Sequence, residues 1–241
     1  MSPDHRRHRG AHPEDAALFA PHQLPALRLA VSELSWLLQR GYAWRSALKL
    51  VGDRHRLTER QRLAVARAAC SDEQRRLRAA TRLPGPALTG REVSIDGFNL
   101  IITLEAALGG GVLLRCRDGC LRDLSSVHGS YRSVLETDRA IRLAGEALAP
   151  HHPRSVTWLL DQPVSNSGRL AARIREAAQA SHWPWSVQVV MSPDAVLRSA
   201  SNPVVTSDSA ILDQGVEWVN LAAEILAGLL PLNNLLDLQV D

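Results

Sequence analysis

Three aspartates each end an apolar, β-rich run of this sequence. The runs VSIDGFN (residues 93–99), SVTWLLDQP (155–163) and NPVVTSDSAILD (202–213) lead to Asp96, Asp161 and Asp208. Turn residues and a helical pattern follow each Asp, as in the βα units of a parallel sheet. Ligands of such sheets bind beyond the carboxyl ends of the strands. Three carboxylates on one rim repel one another unless some are protonated or a cation lies between them, so we predict a site for Mg²⁺ or Mn²⁺.

The same aspartates have a structural alternative. Asp96 and Asp208 are also well placed to cap the helix that follows each of them. A single strand-end Asp is more often a cap, but three at the ends of neighbouring strands favour a metal or phosphate site. Asn99 is a candidate to hold a metal-bound water or a phosphate oxygen.

A second group of candidates lies in RDGCLRDLSSVHGSYRS, residues 117–133. Arg122 and Arg132 suit phosphate contacts, Tyr131 suits base stacking, and His128 is a candidate general acid. Taken singly, such side chains more often have structural roles. In that interpretation Asp118 is a turn residue and Asp123 is an ion-pair partner of a nearby arginine.

The loop QPVSNSGR follows Asp161 and opens a helix that carries Arg169 and Arg173. Its Ser165, Asn166 and Ser167 precede a helix N-terminus, which can receive a phosphate. The loop can equally be an ordinary capped helix start. Trp183 and Trp185 are better explained as packing residues than as a nucleobase platform.

Composition predicts a globular chain. The 241 residues are 45% hydrophobic and 22% charged, with a formal net charge of +3 and Lys49 as the sole lysine. The odd number of cysteines and their spacing argue against a disulfide framework or a structural zinc site, which favours a reducing cytoplasm. The charged, His-rich start does not resemble a signal peptide, and no apolar run reaches transmembrane length, so we expect no membrane association.

We predict four segments along the chain. They are a disordered basic tail (1–22), a small all-α unit (23–82), an α/β domain (91–230) and a C-terminal tail (231–241). Apolar residues at helical spacing define the all-α unit, with Gly41 closing its first helix and Thr58 capping its last. The proline- and glycine-rich segment RLPGPALTG marks the boundary between the two folded parts.

The α/β domain alternates strand and helix patterns, which predicts a three-layer sandwich around a mostly parallel sheet. We expect strands at 92–96, 111–117, 120–124, 155–161, 186–191, 203–207 and 216–219. We expect helices at 99–108, 130–149, 166–180, 193–199, 208–213 and 220–229. Asp118-Gly119 predicts a hairpin turn between the second and third strands.

The strand ending in DGFN, the strand ending in LLD and the segment VVTSDSAILDQGVEWVNL resemble the PIN/NYN-like fold of metal-dependent ribonucleases. The whole chain also resembles a bacterial and archaeal family of uncharacterised proteins that carry this kind of domain. The resemblance implies that Asp96, Asp161 and Asp208 are catalytic metal ligands. Asp213, the next acidic group, is either a further metal ligand or a surface residue. It matches Asn99 to the asparagine of the NYN branch. Many PIN domains add a helical glutamate, whose candidates are Glu105, Glu136 and Asp138.

These observations predict a divalent-metal-dependent nuclease whose partner is RNA. The alternatives are a non-catalytic module of the same fold that binds nucleic acid or a protein, and a metal-dependent phosphatase with a small substrate. The absence of a nucleophilic Asp motif with a second Asp two residues on argues against the phosphatase. The helical unit is the candidate surface for a protein partner or a second copy of the chain.

Overall fold

The computed structural model describes residues 8–125, 129–229 and 232–240. Its N-terminal part is helical, as the sequence predicts. Gly41, with φ +76°, follows the first long helix, and Thr58 forms a capping box with Gln61. A second capping box, of Ser71 and Gln74, divides the predicted last helix into two. The helices are α1 (Asp15–Leu18), α2 (Leu24–Gln39), α3 (Trp44–Arg54), α4 (Glu59–Ala68) and α5 (Asp72–Thr81).

The remainder of the described chain alternates strands and helices. The strands are β1 (Glu92–Asp96), β2 (Leu113–Arg115), β3 (Leu121–Asp123), β4 (Ser155–Asp161), β5 (Trp185–Val190), β6 (Val204–Val205), β7 (Trp218–Val219) and β8 (Leu235–Asp237). The helices are α6 (Gly97–Leu108), α7 (Thr137–Leu148), α8 (Ser167–Ala180), α9 (Pro193–Arg198), α10 (Ser209–Leu212) and α11 (Leu221–Ala227). The predicted order of strands and helices is therefore confirmed from β1 to α11, whereas β8 was not predicted.

Five parallel strands form the main sheet in the order β5-β4-β1-β6-β7. From β1 the chain continues to β4 and β5 on one side and then returns to β6 and β7 on the other. The strand order thus reverses between β1 and β6. Parallel α/β sheets bind ligands at such a switch point, beyond the carboxyl ends of the strands.

Helices cover both faces of this sheet. Trp158 and Leu160 of β4 belong to a large apolar core with α6, α7 and α8, whereas Leu159 between them packs with α9 and α10. Alternate residues of one strand thus enter different cores, as the two-residue period of a strand requires. The α/β three-layer arrangement follows from this packing.

A small second sheet connects the two parts of the molecule. The antiparallel pair of β2 and β3 confirms the hairpin around Asp118-Gly119, and β8 adds a parallel strand to β2. The expected C-terminal tail therefore contains a strand. Contacts with distant residues hold this segment, since Leu238 packs in a core formed mainly by the N-terminal helices.

The expected N-terminal tail also differs from the structure over its described residues. Helix α1 lies within it, and Asp15 of that helix is buried and paired with Arg60 of α4. Arg9 donates to Glu105 of α6 at 2.7 Å. These ion pairs join distant parts of the chain, so local composition could not reveal them. The segment lies against the folded part of the molecule.

The three cysteines are free and buried, as expected from their spacing. Trp183 packs against Trp185, with ring centroids 4.5 Å apart, and Trp185 packs against Trp158 at 5.2 Å. The packing role expected for Trp183 and Trp185 is thereby confirmed. Among the described residues, no helix is both long enough and apolar enough to cross a membrane.

Candidate active site

Asp96 ends β1 at the switch point of the main sheet. Its side chain caps α6 by accepting from the backbone N–H of Asn99, and it is only 8% exposed. It also accepts a hydrogen bond from Thr206 Oγ1 at 2.8 Å. Burial raises the pKa of Asp96 to about 7, and the charges of Asp208 and Asp194 act in the same direction. A carboxyl near half-ionisation at neutral pH therefore lies at this edge.

The turn that follows β6 brings Asp208 to the same edge. Asp208 caps α10 by accepting from the backbone N–H of Ala210 at 2.7 Å, and its own N–H donates to Thr206 Oγ1 at 3.0 Å. Thr206 thus bridges the two aspartates, because it also donates to Asp96. Both aspartates are helix caps, which confirms the structural interpretation, and both also belong to one acidic cluster.

Asn99 holds this turn in place. Its Oδ1 accepts from Ser207 N at 2.9 Å and from Ser207 Oγ at 3.0 Å. The carbonyl end of Asn99 is therefore occupied by protein. Asn99 nevertheless lines the groove beside Asp208, so its amide group remains a candidate contact for substrate.

Asp161 reaches the same edge at the end of β4, where β1 and β4 pair in parallel register. Its pKa is raised by burial and by the charge of Asp194. Asp194, at the start of α9, therefore acts on both Asp96 and Asp161. Sequence analysis missed it, although Ser-Pro-Asp directly after the β5 run repeats the strand-end pattern that identified the others.

The acidic edge formed by Asp96, Asp161, Asp194 and Asp208 suits a loosely held cation. In the described part of the chain, no group of three or more His, Cys, Asp or Glu side chains is arranged to hold a metal ion. Mg²⁺ requires only one or two direct carboxylates and keeps several waters. Burial is the main cause of the raised pKa of Asp96, and a divalent ion would relieve the repulsion that Asp208 and Asp194 add to it. Asp96 and Asp208 are the residues that fit this role best.

Asp213 is not part of the acidic edge, which corrects its expected role as a metal ligand. Its Oδ1 accepts from Arg78 Nε at 2.9 Å and Nη2 at 2.6 Å, and its Oδ2 accepts from Gln74 at 2.7 Å. Arg78 and Gln74 belong to α5. The carboxylate of Asp213 therefore attaches the helical unit to the end of α10.

The three candidates for a helical glutamate have partners elsewhere. Glu105 is fully buried and accepts from Tyr131 Oη at 2.5 Å and Thr137 Oγ1 at 2.6 Å. Glu136 pairs with His8 at 2.6 Å, and Asp138 accepts from Arg173 Nε at 2.9 Å. In the described structure, the acidic group that a helix adds to the edge is Asp194 of α9.

Tyr131 and Arg122 were expected to contact substrate, and the structure corrects both. Tyr131 is fully buried, and its ring packs against Phe98, so it has no face for a base. Arg122 is 7% exposed and donates to Ser207 O at 2.8 Å and to Asp118 at 2.6 Å and 2.9 Å. Arg122 positions the turn that carries Asp208. His128 lies outside the described residues.

Asp118 and Asp123 have the structural roles that the sequence indicated. Asp118 accepts from Cys120 N at 3.1 Å within the hairpin turn. Asp123 pairs with Arg67 at 3.6 Å and accepts from Thr103 Oγ1 at 2.9 Å.

Arg132 and Asn166 lie on a cleft of about 720 Å³ beside the start of α8. Arg169 and Arg173 also line it, so the cleft brings three arginines together. Arg132 and Arg169 are exposed, whereas Arg173 is partly buried and paired with Asp138. Guanidinium groups gathered in a cleft suit the phosphates of a nucleic acid. The structure therefore places two of the expected substrate residues in a basic cleft.

The two serines beside Asn166 have backbone roles. Ser167 is buried and its Oγ donates to the carbonyls of Asp161 and Val164. Ser165 O accepts from Tyr131 N at 3.2 Å, and Asn166 Nδ2 donates to Tyr131 O at 2.7 Å. Ser167 is corrected as a substrate contact, since its hydroxyl is occupied. The Ser165 side chain is exposed, and the hydrogen bonds of Ser165 with Tyr131 and Gly129 are made by its backbone.

Comparison with known proteins identifies a family and supplies no activity. A family model described as "Domain of unknown function (DUF5616)" matches residues 86–224, and one described as "Protein of unknown function (DUF434)" matches residues 26–80. An uncharacterized protein of Methanocaldococcus jannaschii is 33% identical over 203 residues, covering 83% of this chain and 97% of that protein. No solved structure matches the chain. The chain therefore belongs to the DUF5616 family, and the segment in front of that domain is similar to DUF434.

Proposed function

We propose that this protein is a nuclease that depends on Mg²⁺ or Mn²⁺ and hydrolyses phosphodiester bonds in RNA. The observation that carries the proposal is the acidic edge at the switch point, where burial and neighbouring charges raise the pKa of Asp96 to about 7. A bound divalent ion lowers the pKa of water and neutralises charge on the attacked phosphate. The resemblance to PIN/NYN-like ribonucleases supports the same chemistry.

Some residues of the site would bind the ion, and others position them. Asp96 and Asp208 would hold the ion, and Asp161 and Asp194 would add negative charge around it. Asn99, Thr206 and Arg122 keep the turn that carries Asp208 in one position through their hydrogen bonds. Preorganised ligands of this kind need no rearrangement when the substrate arrives.

The basic cleft supports a nucleic acid as the substrate. Arg132, Arg169 and Arg173 line it, and Asn166, which opens α8, follows β4, the strand that ends at Asp161. Phosphates outside the reacting bond would bind there and fix the register of the strand. The free cysteines support a reducing cytoplasm as the place of action.

A non-catalytic role is the second candidate. The observation that favours it is that Glu105, Glu136 and Asp138, the candidate helical acids, are all engaged away from the acidic edge. Such a module would bind nucleic acid through the basic cleft, or a protein through the helical unit, where Trp36 and Leu50 are 54% and 60% exposed.

Cleavage of a mixed pool of single-stranded and structured RNA tests the proposal. We expect the full-length protein to cleave the pool with Mn²⁺ and not with a chelator. Asp96→Asn and Asp208→Asn should each lower the rate by about a hundredfold or more, since even residues that only support metal ligands cost 10–100-fold. Asp237→Asn is the matched control, because Asp237 is an exposed aspartate of β8 in the other sheet.

Cleavage that continues at the wild-type rate in both edge variants would contradict the proposed site. Binding of the RNA without any cleavage by the wild-type protein would favour the non-catalytic role.

A further inference from the structure

A groove of about 480 Å³ separates the helical unit from the acidic edge. One wall belongs to the helical unit and includes Trp44 of α3 with Leu63 and Arg67 of α4. The opposite wall includes Asn99 of α6 and Asp208. Substrate sites often form at such junctions between structural units. The groove thus extends the acidic edge towards a part of the chain that has no other assigned role.

The groove combines apolar and polar surface. Trp44, Leu63 and Ala66 offer apolar surface on the helical side, and the opposite side has apolar residues such as Phe98 beside the polar Asn99 and Asp208. A ligand that fits both walls has a flat apolar part and a phosphate at some distance from it. A nucleotide has this form, because every base has a π-face and every backbone phosphate is charged.

Trp44 differs from the other tryptophans of the chain. Its side chain is 48% exposed, and within the described residues its ring has no aromatic or guanidinium partner. By contrast, Trp36 lies under Arg40, whose guanidinium carbon is 3.5 Å from the ring centroid. Trp44 therefore presents a ring available for stacking inside a groove.

Arg67 gives the same wall a fixed positive charge. Its guanidinium donates to Asp123 O and, at 2.9 Å, to Ser125 O, and its side chain remains 27% exposed. Held in this way, Arg67 loses little side-chain entropy on binding a strand. Its charge, which the Asp123 carboxylate 3.6 Å away offsets in part, favours a phosphate backbone beside the stacked base.

We propose that this groove binds an unpaired nucleobase of single-stranded RNA, stacked on Trp44, while an adjoining phosphate lies beside Arg67 and the amide group of Asn99. The inference rests on the proposed function for the identity of the ligand as RNA. It gives the DUF434 segment a role as the wall that selects single-stranded over double-stranded substrate, since both faces of a base inside a duplex are stacked on neighbouring bases.

Fluorescence anisotropy with a short, labelled single-stranded RNA tests the inference without relying on cleavage. The full-length protein is titrated once with a chelator at low salt and once with Ca²⁺, so that binding is measured with and without a cation at the edge. We expect Trp44→Ala to weaken binding by about tenfold, the loss typical of one stacked base. Trp44→Phe should retain most of the affinity, because it keeps an aromatic face.

Trp36→Ala is the matched control, since Trp36 is also about half exposed on the same unit but does not line the groove. Its RNA affinity should equal that of the wild-type protein. Circular dichroism of each variant checks the fold, which truncation of a half-exposed side chain should leave intact.

Equal affinity of Trp44→Ala and wild type, or no RNA binding by wild type in either condition, would overturn the inference. If Trp44→Ala binds normally while Asp96→Asn loses cleavage, only the groove assignment fails. If binding depends on Trp44 but wild type never cleaves RNA, the groove assignment stands and the nuclease proposal fails.

Discussion

Asp96 is both a helix cap and a member of the acidic edge. It caps α6, and it also brings a buried carboxyl to the edge where three other aspartates lie nearby. A buried carboxyl resists ionisation, because the charged form loses its hydration. The acidic edge is therefore costly for the protein at neutral pH unless a cation compensates for it.

The raised pKa of Asp96 makes the stability of the protein pH-dependent. Between the ordinary pKa of 3.8 and the folded pKa of about 7, the folded protein keeps a proton that the unfolded chain has released. The free energy of unfolding therefore falls as the pH rises through this window. The contribution of Asp96 is fully present below pH 3.8 and is lost as the pH approaches 7.

We expect Asp96→Asn to be more stable than wild type at about pH 8 in the absence of metal, by a few kcal/mol at most. At about pH 4.5 the two proteins should differ much less, because Asp96 is then neutral. Urea unfolding at both pH values measures the difference. A stability difference that is the same at both values would show that Asp96 ionises normally.

The strand-end aspartates could be found from the sequence because the signal is local. An apolar run that ends in Asp and is followed by a turn fixes where the side chain must lie, as Asp96, Asp161 and Asp208 show. The roles of Tyr131, Arg122 and Asp213 could not be found in this way. Each depends on a partner that only tertiary folding supplies, namely Glu105, Ser207 and Arg78.

At the scale of elements, a buried ionic network holds the acidic edge. Arg78 of α5 donates to Asp118 in the β2–β3 turn at 2.6 Å and to Asp213 after α10 at 2.6 Å. Asp118 also accepts from Arg122, which in turn donates to Ser207 O. Burial opposes ionisation of Asp118, but Arg122 and then Arg78 hold its pKa well below the usual range. The network joins the helical unit to the turn that carries Asp208.

We expect Arg78→Met to destabilise the protein by about 3 kcal/mol or more, because it leaves buried carboxylates with fewer partners. Arg91→Met is the control, since Arg91 pairs with Glu217 at the surface and its loss should cost less than about 1 kcal/mol. The shift of the denaturant midpoint of each variant from that of wild type measures the loss of stability. Equal midpoints would show that the network contributes nothing beyond a surface pair.

The periodicity of the sequence was sufficient to predict the order of strands and helices in the α/β part. It was insufficient for β8, a strand of three residues that pairs only with β2, more than a hundred positions earlier in the chain. It also missed α1, whose Asp15 is held by Arg60. Short elements of this kind are stabilised by distant contacts rather than by their own propensity.

At the scale of the whole molecule, the two family segments share one core. Leu27 and Val65 of the helical unit pack with Leu114 of β2 and Leu238 beyond β8. The proline- and glycine-rich boundary is itself anchored, since Leu83 N donates to Trp218 O at 2.7 Å and Leu88 is fully buried. The composition of the sequence changes at this boundary, but the parts on either side of it pack together. The groove at Trp44 exists only because the segments pack in this way.

Titration of Mn²⁺ into the full-length protein by calorimetry, near pH 7, tests the central claim most directly. The account predicts that wild type binds the ion and releases protons, because a carboxyl with a pKa of about 7 must ionise to become a ligand. It predicts that Asp96→Asn, folded to the same extent, loses this binding. No binding to folded wild-type protein, or equal binding by Asp96→Asn, would contradict the claim that the acidic edge is a divalent-cation site.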